Sequence, residues 1–274
     1  MTSKELQKTA QELRLTVLEM NHKAGSGHTG GSYSCAEIAT VLYEQFMNVD
    51  PKNPKLETRD RFVLSKGHAA PTLYATLARK GFFDKEILGT LRQTGSILQG
   101  HPCMSKCPGI DMSMGSLGLG ASVGVGMALT ARTKGENWRT FVICGDGELD
   151  EGQNWEAFAA IAKWNLSNLT VIIDKNNVQL DGTKEEIMPM NDLKGKLNSF
   201  GLKTMECDGH NCEALETTIK AANEDKDAVV IIANTVKGKG VSFMEGQAAW
   251  HGKPIDETDF ANAEAELKET LNNL

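Results

Sequence analysis

The chain has 274 residues, of which 40% are hydrophobic and 24% charged, and its net charge at pH 7 is −7. This length suits one α/β domain with a substantial core, and we expect residues 1–274 to form a single domain. The negative charge argues against nucleic acid or an anionic membrane as a partner. No apolar run approaches the length of a membrane span, and the N-terminus lacks the apolar core of a signal peptide. The six cysteines are scattered, which favours a reducing cytoplasm.

Hydrophobic periodicity and turn residues predict the elements of the chain. In the N-terminal half they are helices at 4–24 and 36–48, a strand at 61–64, helices at 70–79 and 84–91, a loop at 96–113 and a Gly/Ala-rich helix at 121–133. In the C-terminal half they are strands at 140–144 and 169–173 flanking a helix at 154–164, strands at 202–207 and 228–233 flanking a helix at 212–222, and a polar helix at 256–274. The small residues of helix 121–133 predict close packing against a neighbour.

The most informative feature is a pair of polar segments that follow two neighbouring strands. Residues 145–148 (Gly-Asp-Gly-Glu) come directly after strand 140–144, and Asn176-Asn177 come shortly after strand 169–173. The helix between these strands makes them parallel, with a right-handed crossover. Since parallel strands end at the same edge of a sheet, Asp146 and Asn176 are expected side by side where open α/β sheets bind ligands.

Two oxygen donors at such an edge suit magnesium, which takes one or two side-chain ligands and fills its octahedron with phosphate and water oxygens. The glycines that flank Asp146 let the backbone approach a phosphate, and the following helix N-terminus adds amide donors. The alternative is a loop in which Asp and Asn only cap helices and turns. The pairing of the two segments favours a magnesium–diphosphate site.

The spacing between Gly-Asp-Gly and Asn resembles the thiamine diphosphate motif, and further segments resemble transketolase. They are residues 26–32 (SGHTGGS), 60–70 (DRFVLSKGHAA), 100–102 (GHP), 115–120 (GSLGLG), 235–240 (TVKGKG) and 250–252 (WHG). These segments occur in the order of the family and cover nearly the whole chain.

This resemblance implies the thiamine diphosphate-binding α/β fold, with a mostly parallel central sheet and helices on both faces. It also implies thiamine diphosphate and Mg²⁺ as cofactors, with Ca²⁺ or Mn²⁺ able to replace the magnesium. Asp146 and Asn176 would be metal ligands, with the carbonyl of Val178 as the third. The implied cofactor-binding residues are His68, Gly115, Ser116, Leu117, Gly147, Glu148, Asn176 and Val178. Among them, the Gly147 amide and His68 would contact the diphosphate, and the Leu117 backbone the aminopyrimidine.

Four histidines lie in or beside the matching segments. The resemblance implies that His28 and His101 line the substrate funnel, where they donate to ketose hydroxyls and shuttle protons. His251 is a further catalytic candidate, although the family often carries two histidines here, in an HGxHG pattern, and one is missing. Glu151 is implied to lie near the cofactor at the interface with a partner chain.

Other histidines and several departures from the family pattern qualify this interpretation. His22 and His210 match no motif and are interpreted as surface or capping residues. Ser116 replaces a usual proline, Leu119 a usual glutamine, and Cys103 stands where an acidic residue is common. These changes bear on substrate preference. Zinc or a disulfide at Cys103 and Cys107 is an alternative that the spacing disfavours, since it is not CxxC and no second pair follows.

Length adds a prediction about partners, because full-length transketolases carry three domains. The chain resembles the pyrophosphate-binding domain of a split transketolase, with the pyrimidine-binding and C-terminal domains on a second chain and an α2β2 assembly. In the family, the glutamate that activates the aminopyrimidine and much of the sugar-phosphate clamp belong to that second chain. We therefore expect this chain to be inactive alone and, with its partner, to transfer a two-carbon ketol unit between sugar phosphates in the non-oxidative pentose phosphate pathway.

Three other functions are alternatives. Gly118, Gly120 and Gly124 superficially resemble a dinucleotide fingerprint of an oxidoreductase, but no convincing strand precedes them and no acidic residue follows at the ribose-binding distance. A second alternative is another thiamine enzyme, such as deoxyxylulose-phosphate synthase or the α chain of a 2-oxo acid dehydrogenase. The third is a cofactor-binding or regulatory module without catalysis.

Overall fold

The structure, a computed structural model, describes residues 1–274. Five parallel strands form one sheet in the order β1-β2-β3-β5-β4. The strands are β1 (Arg61–Leu64), β2 (Thr140–Gly145), β3 (Leu169–Lys175), β4 (Lys203–Asp208) and β5 (Val229–Asn234). The α/β fold with a parallel central sheet is therefore confirmed.

Helices surround this sheet. The α-helices are α1 (Ser3–Ala24), α2 (Thr29–Ser34), α3 (Ala36–Val41), α4 (Ala70–Lys80), α5 (Gly120–Lys134), α6 (Gly152–Trp164), α7 (Lys184–Ile187), α8 (Leu193–Ser199), α9 (Cys212–Glu224) and α10 (Glu257–Asn273). Short 3₁₀ helices lie at Gly67–Ala69, Lys85–Thr90, Gly147–Asp150 and Ala248–His251. No helix is long and apolar enough to cross a membrane.

The central strands are buried on both faces, because helices cover the sheet on each side. Along β2, Phe141 and Ile143 belong to a core shared with α1, α3, α4, α9 and α10. Val142 and Cys144 point the other way, into a core shared with α5, α6 and α8. This alternation is the two-residue period of a strand, and the unbroken apolar sequence of β2 reflects burial on both faces.

All five predicted strands and the long helices are confirmed to within a few residues, and the differences lie in short segments. The predicted helix 36–48 is α3 followed by a π-helical turn, Leu42–Phe46, closed by a bond from Met47 N to Leu42 O. Residues 84–91 form 3₁₀ turns rather than an α-helix. Helices α2, α7 and α8 were not predicted, since each is too short to show a helical period.

The predicted close packing of the Gly/Ala-rich helix is confirmed at Gly124 of α5. A Cβ atom there would lie 2.6 Å from the Val142 side chain and 3.2 Å from that of Leu169. The helix therefore sits directly on β2 and β3, and holds the segment before it close to the carboxyl ends of these strands.

Candidate active site

Asp146 and Asn176 lie side by side, as the parallel strands predict. Gly145 of β2 pairs with Asp174 of β3, so the two strands end in register. Asp146 accepts a hydrogen bond from the amide of Gly147 at 2.9 Å and another from the amide of Asn177 at 2.7 Å. The carboxylate thus joins the ends of β2 and β3 into one rigid edge.

Two cavities, of about 520 Å³ and about 200 Å³, meet at this edge. The residues that line both are Asp146, Asn176 and Val178. These are the three metal ligands that the family resemblance implies. An ion held between them would face both cavities.

The charge around Asp146 fits a bound cation. Its side chain is buried, and burial together with the nearby Asp174 carboxylate raises the pKa of Asp146 to about 6. Asp146, Asn176 and Val178, which line both cavities, carry a carboxylate, an amide and a backbone carbonyl, the oxygen donors that magnesium prefers. Gly31 and Gly147 line the smaller cavity and have no side chain to fill it. At Gly31, an added Cβ would lie 3.1 Å from His68 Nε2, so any other residue there would crowd this ring.

Four histidines from distant parts of the chain form a cluster, and two of them, His68 and His251, line the smaller cavity. The ring centroids of His68 and His251 lie 4.9 Å apart, and His28 lies 5.4 Å from the first and 5.3 Å from the second. His101 lies on the exposed side, 6.4 Å from His28. The structure therefore brings together all four histidines that the motifs single out, including His251.

These histidines are neutral at physiological pH. Burial, with added repulsion from neighbouring cations, lowers the pKa of His28 to about 4 and that of His251 to about 3. Burial also lowers the pKa of His68 and of His101. A neutral imidazole offers one donor and one acceptor, so each ring can bond a hydroxyl in either direction.

His28 and His251 are expected to contribute stability that is lost as the pH falls from about 6.5 to about 4, because unfolded histidines protonate near their ordinary pKa of about 6.5. His28 and His251 resist protonation in the fold, so the unfolded state binds more protons as the pH falls. The check is the thermal midpoint of the isolated chain across this range. The double variant His28→Asn/His251→Asn should show a flatter slope, and an unchanged slope would contradict the assignment.

A buried ion pair lies beneath the cavity. Lys66 donates to the carboxylate of Asp174, and both side chains are at most 1% exposed. Lys66 Nζ also donates to Gly31 O at 2.8 Å, while Asp174 accepts from the hydroxyls of Ser34 and Thr235. The pair therefore ties the segment after β1 and the start of α2 to β3, which fixes the backbone that carries His28 and His68.

Glu148 holds the segment before α5 against the sheet. Its carboxylate accepts from the Ser65 hydroxyl, from Gly118 N at 2.8 Å and from Gly145 N at 3.0 Å. Ser65 in turn accepts from Gly120 N at 3.1 Å. These bonds fix the backbone on the C-terminal side of Leu117. Leu117 lines the smaller cavity and is 37% exposed.

The remaining residues implied by resemblance lie at the rim. Gly115 packs beside His101, since a Cβ there would lie 3.4 Å from that ring. Ser116 is exposed on the same turn. Glu151 is exposed as well, lies outside the lining of both cavities, and contacts Gly118 through its Cβ.

Sequence reasoning missed Lys237 and misplaced His210. The Lys237 ammonium reaches the carbonyls of Val178 and Gln179 at 3.3 and 2.9 Å and His251 Nδ1 at 3.0 Å. Its position in the matching segment 235–240 was the available signal. His210 is not a surface residue: its side chain is 12% exposed and lies 3.1 Å from the buried Glu37 carboxylate, and its Nε2 accepts from Val236 N.

Comparisons with known proteins show the family to which the chain belongs. Residues 5–270 match the family model described as "Transketolase, thiamine diphosphate binding domain". The chain therefore belongs to the transketolase family as a thiamine diphosphate-binding domain, and the oxidoreductase alternative is set aside.

Relatives of two lengths match the chain. An apulose-4-phosphate transketolase subunit of Phocaeicola vulgatus is 41% identical over 98% of this chain and 96% of its own length. The 6-deoxy-6-sulfo-D-fructose transketolase subunit SqwG of a Clostridium species is 42% identical over 96% of each. Human transketolase is 38% identical, but the chain spans only 40% of it. The crystal structure of Campylobacter jejuni transketolase superposes with a TM-score of 0.92 at 32% identity, over 98% of this chain and 43% of that one.

Proposed function

We propose that this chain is the cofactor-binding subunit of a two-chain transketolase that depends on thiamine diphosphate and magnesium. It would transfer a two-carbon ketol unit from an anionic ketose to an aldose phosphate, and residues 1–274 would form its single pyrophosphate-binding domain. The observation that supports the proposal is one sheet edge where Asp146, Asn176 and Val178 line the same cavity as His68 and His251, two members of the histidine cluster.

The oxygen ligands have a defined task in this proposal. Asp146, Asn176 and the carbonyl of Val178 would hold the magnesium ion, which would neutralise charge on the diphosphate. The Gly147 amide and His68 would bind diphosphate oxygens from the smaller cavity, and the Lys237 ammonium adds positive charge at the same place. Thiamine diphosphate, when bound, supplies the nucleophilic carbon and the electron sink.

The histidines would act on the sugar. The rings of His28, His101 and His251 lie within 6.4 Å of one another along the contacts through His28, and neutral rings can donate to and accept from ketose hydroxyls. A neutral imidazole is also able to take up a proton from a hydroxyl and return it. The cluster therefore suits the proton movements that accompany cleavage and formation of a bond between two hydroxylated carbons.

A partner chain would complete the site. Leu117 and Leu180 line the cavity but are 37% and 59% exposed, which leaves apolar surface around the cofactor position uncovered. Two relatives are named as subunits, and human transketolase continues well beyond the matched part. The partner we propose is a C-terminal transketolase subunit, in an α2β2 assembly with Glu151 at the interface.

The test mixes the chain with its candidate partner, thiamine diphosphate and Mg²⁺, and assays transfer from xylulose 5-phosphate to ribose 5-phosphate. Activity is expected only in the mixture, with each chain alone inactive. Apulose 4-phosphate and 6-deoxy-6-sulfo-D-fructose should be tested as donors, because relatives are named for them. The pentose phosphate pathway role requires xylulose 5-phosphate to be a good donor. With pyruvate added as a 2-oxo acid, carbon dioxide release without ketol transfer would favour a decarboxylating thiamine enzyme instead.

A further inference from the structure

Arg92 stands out among the seven arginines of the chain. The other six each donate to a carboxylate or to a backbone carbonyl. Arg92 does neither: its side chain is exposed, and its one side-chain hydrogen bond, of 3.3 Å, joins Nη2 to His28 Nδ1. An arginine without an acidic partner at the mouth of the histidine cluster is free to bind an anion.

The backbone at Arg92 is held in a conformation that arginine seldom adopts. Its φ is +61°, and the other three residues outside glycine with positive φ are all asparagines, which tolerate this region. The amide of Arg92 donates to Leu98 O at 2.9 Å, and Leu91 and Leu98 are both buried. Strain of this kind persists when the surrounding structure imposes it, and it is concentrated at functional sites.

The turn also places the guanidinium against the loop that carries His101. A Cβ at Gly100 would lie 3.1 Å from Arg92 Cζ, so glycine permits this close approach. Arg92 therefore sits between His28 and the loop of His101. The cationic side chains acting on His28 are Arg92 and Lys237, and no carboxylate acts on it. Arg92 therefore presents a positive charge without an acidic partner to an incoming sugar.

Resting on the proposed function, we propose that Arg92 is a specificity-determining residue that binds the anionic tail of the sugar substrate, a phosphate or a sulfonate. The planar guanidinium matches a tetrahedral oxyanion with two parallel N–H donors. Two relatives are named for sugars with such tails, apulose 4-phosphate and 6-deoxy-6-sulfo-D-fructose. This chain would thus contribute to charge recognition alongside its partner.

The test compares kcat/KM of the two-chain enzyme for xylulose 5-phosphate and for unphosphorylated xylulose. Arg92→Gln should lower the value for the phosphorylated donor by about tenfold or more, mainly through KM, and that for xylulose much less. Arg92→Lys keeps the positive charge but loses the two parallel N–H donors. Its kcat/KM for xylulose 5-phosphate should lie between those of the wild type and Arg92→Gln. Lys85→Gln removes an exposed positive charge without side-chain bonds, and is the matched control. Equal losses for both donors would overturn the proposal and make Arg92 a positioning residue for His28.

A second measurement separates failure of this proposal from failure of the proposed function. The full chain, loaded with thiamine diphosphate and Mg²⁺, is titrated with inorganic phosphate and then sulfate while the His28 imidazole resonance is followed by NMR. A saturable shift that disappears in Arg92→Gln supports the anion site even if no ketol transfer is found. The same shift in wild type and variant, or no shift in either, would overturn it. Donors with phosphate and sulfonate tails then show which oxyanion is preferred.

Discussion

Replacing Asp146 by alanine is expected to weaken binding of thiamine diphosphate with Mg²⁺ by at least about 100-fold, since loss of a group that only supports a metal ligand already costs 10–100-fold. Ketol transfer by the two-chain assembly should be lost with it. The carboxylate is the only charged member of the proposed ligand set. Its removal also leaves the amides of Gly147 and Asn177 without their acceptor.

Calorimetric titration of the isolated chain with thiamine diphosphate and Mg²⁺ measures this effect directly. Asp146→Asn keeps an oxygen acceptor for the two amides, so it separates loss of the charge from loosening of the edge. Asp181→Asn is the matched control, because Asp181 is exposed and its side chain makes no hydrogen bond or ion pair. Unchanged affinity in a folded Asp146→Ala variant would show that the cofactor is held elsewhere.

Replacing Asp174 by alanine is expected to destabilise the chain by about 3–5 kcal/mol, which is the usual cost of leaving one member of a buried ion pair without its partner. Lys66 would stay buried with its positive charge uncompensated, and Ser34 and Thr235 would lose their acceptor. Since the pair fixes the backbone near His28 and His68, cofactor affinity should fall as well.

Urea unfolding followed by circular dichroism provides the measurement. The double variant Lys66→Met/Asp174→Asn removes both charges and keeps an acceptor for the hydroxyls, so it should be more stable than Asp174→Ala despite two changes. Asp225→Asn disrupts the exposed Lys203–Asp225 pair and should leave the midpoint almost unchanged. A loss no larger for Asp174→Ala than for this control would refute the structural role of the buried pair.

Local sequence determined most of the fold and, within the site, the positions of Asp146 and Asn176. Every strand except β4 contains an apolar run of at least three residues, and such runs can be recognised without knowing what covers them. The positions of Asp146 and Asn176 followed from one rule, that a strand-helix-strand unit brings two carboxyl ends to one edge. The short helices α2 and α8 could not be predicted in this way, because they are too short to show a helical period and are stabilised by packing against the rest of the chain.

Contacts between segments distant in the chain needed the tertiary structure. The sequence around His251 does not indicate that its ring lies 4.9 Å from that of His68. The sequence around Lys66 likewise does not indicate that Asp174 is its counter-ion. Arg92 looks like an ordinary exposed arginine until the turn around it and its distance from His28 are known. Periodicity reports the burial of one element at a time, so the sequence by itself determined the elements and the Asp146–Asn176 edge. Only the packing of the loops at that edge decided which side chains meet there, because this depends on all the elements together.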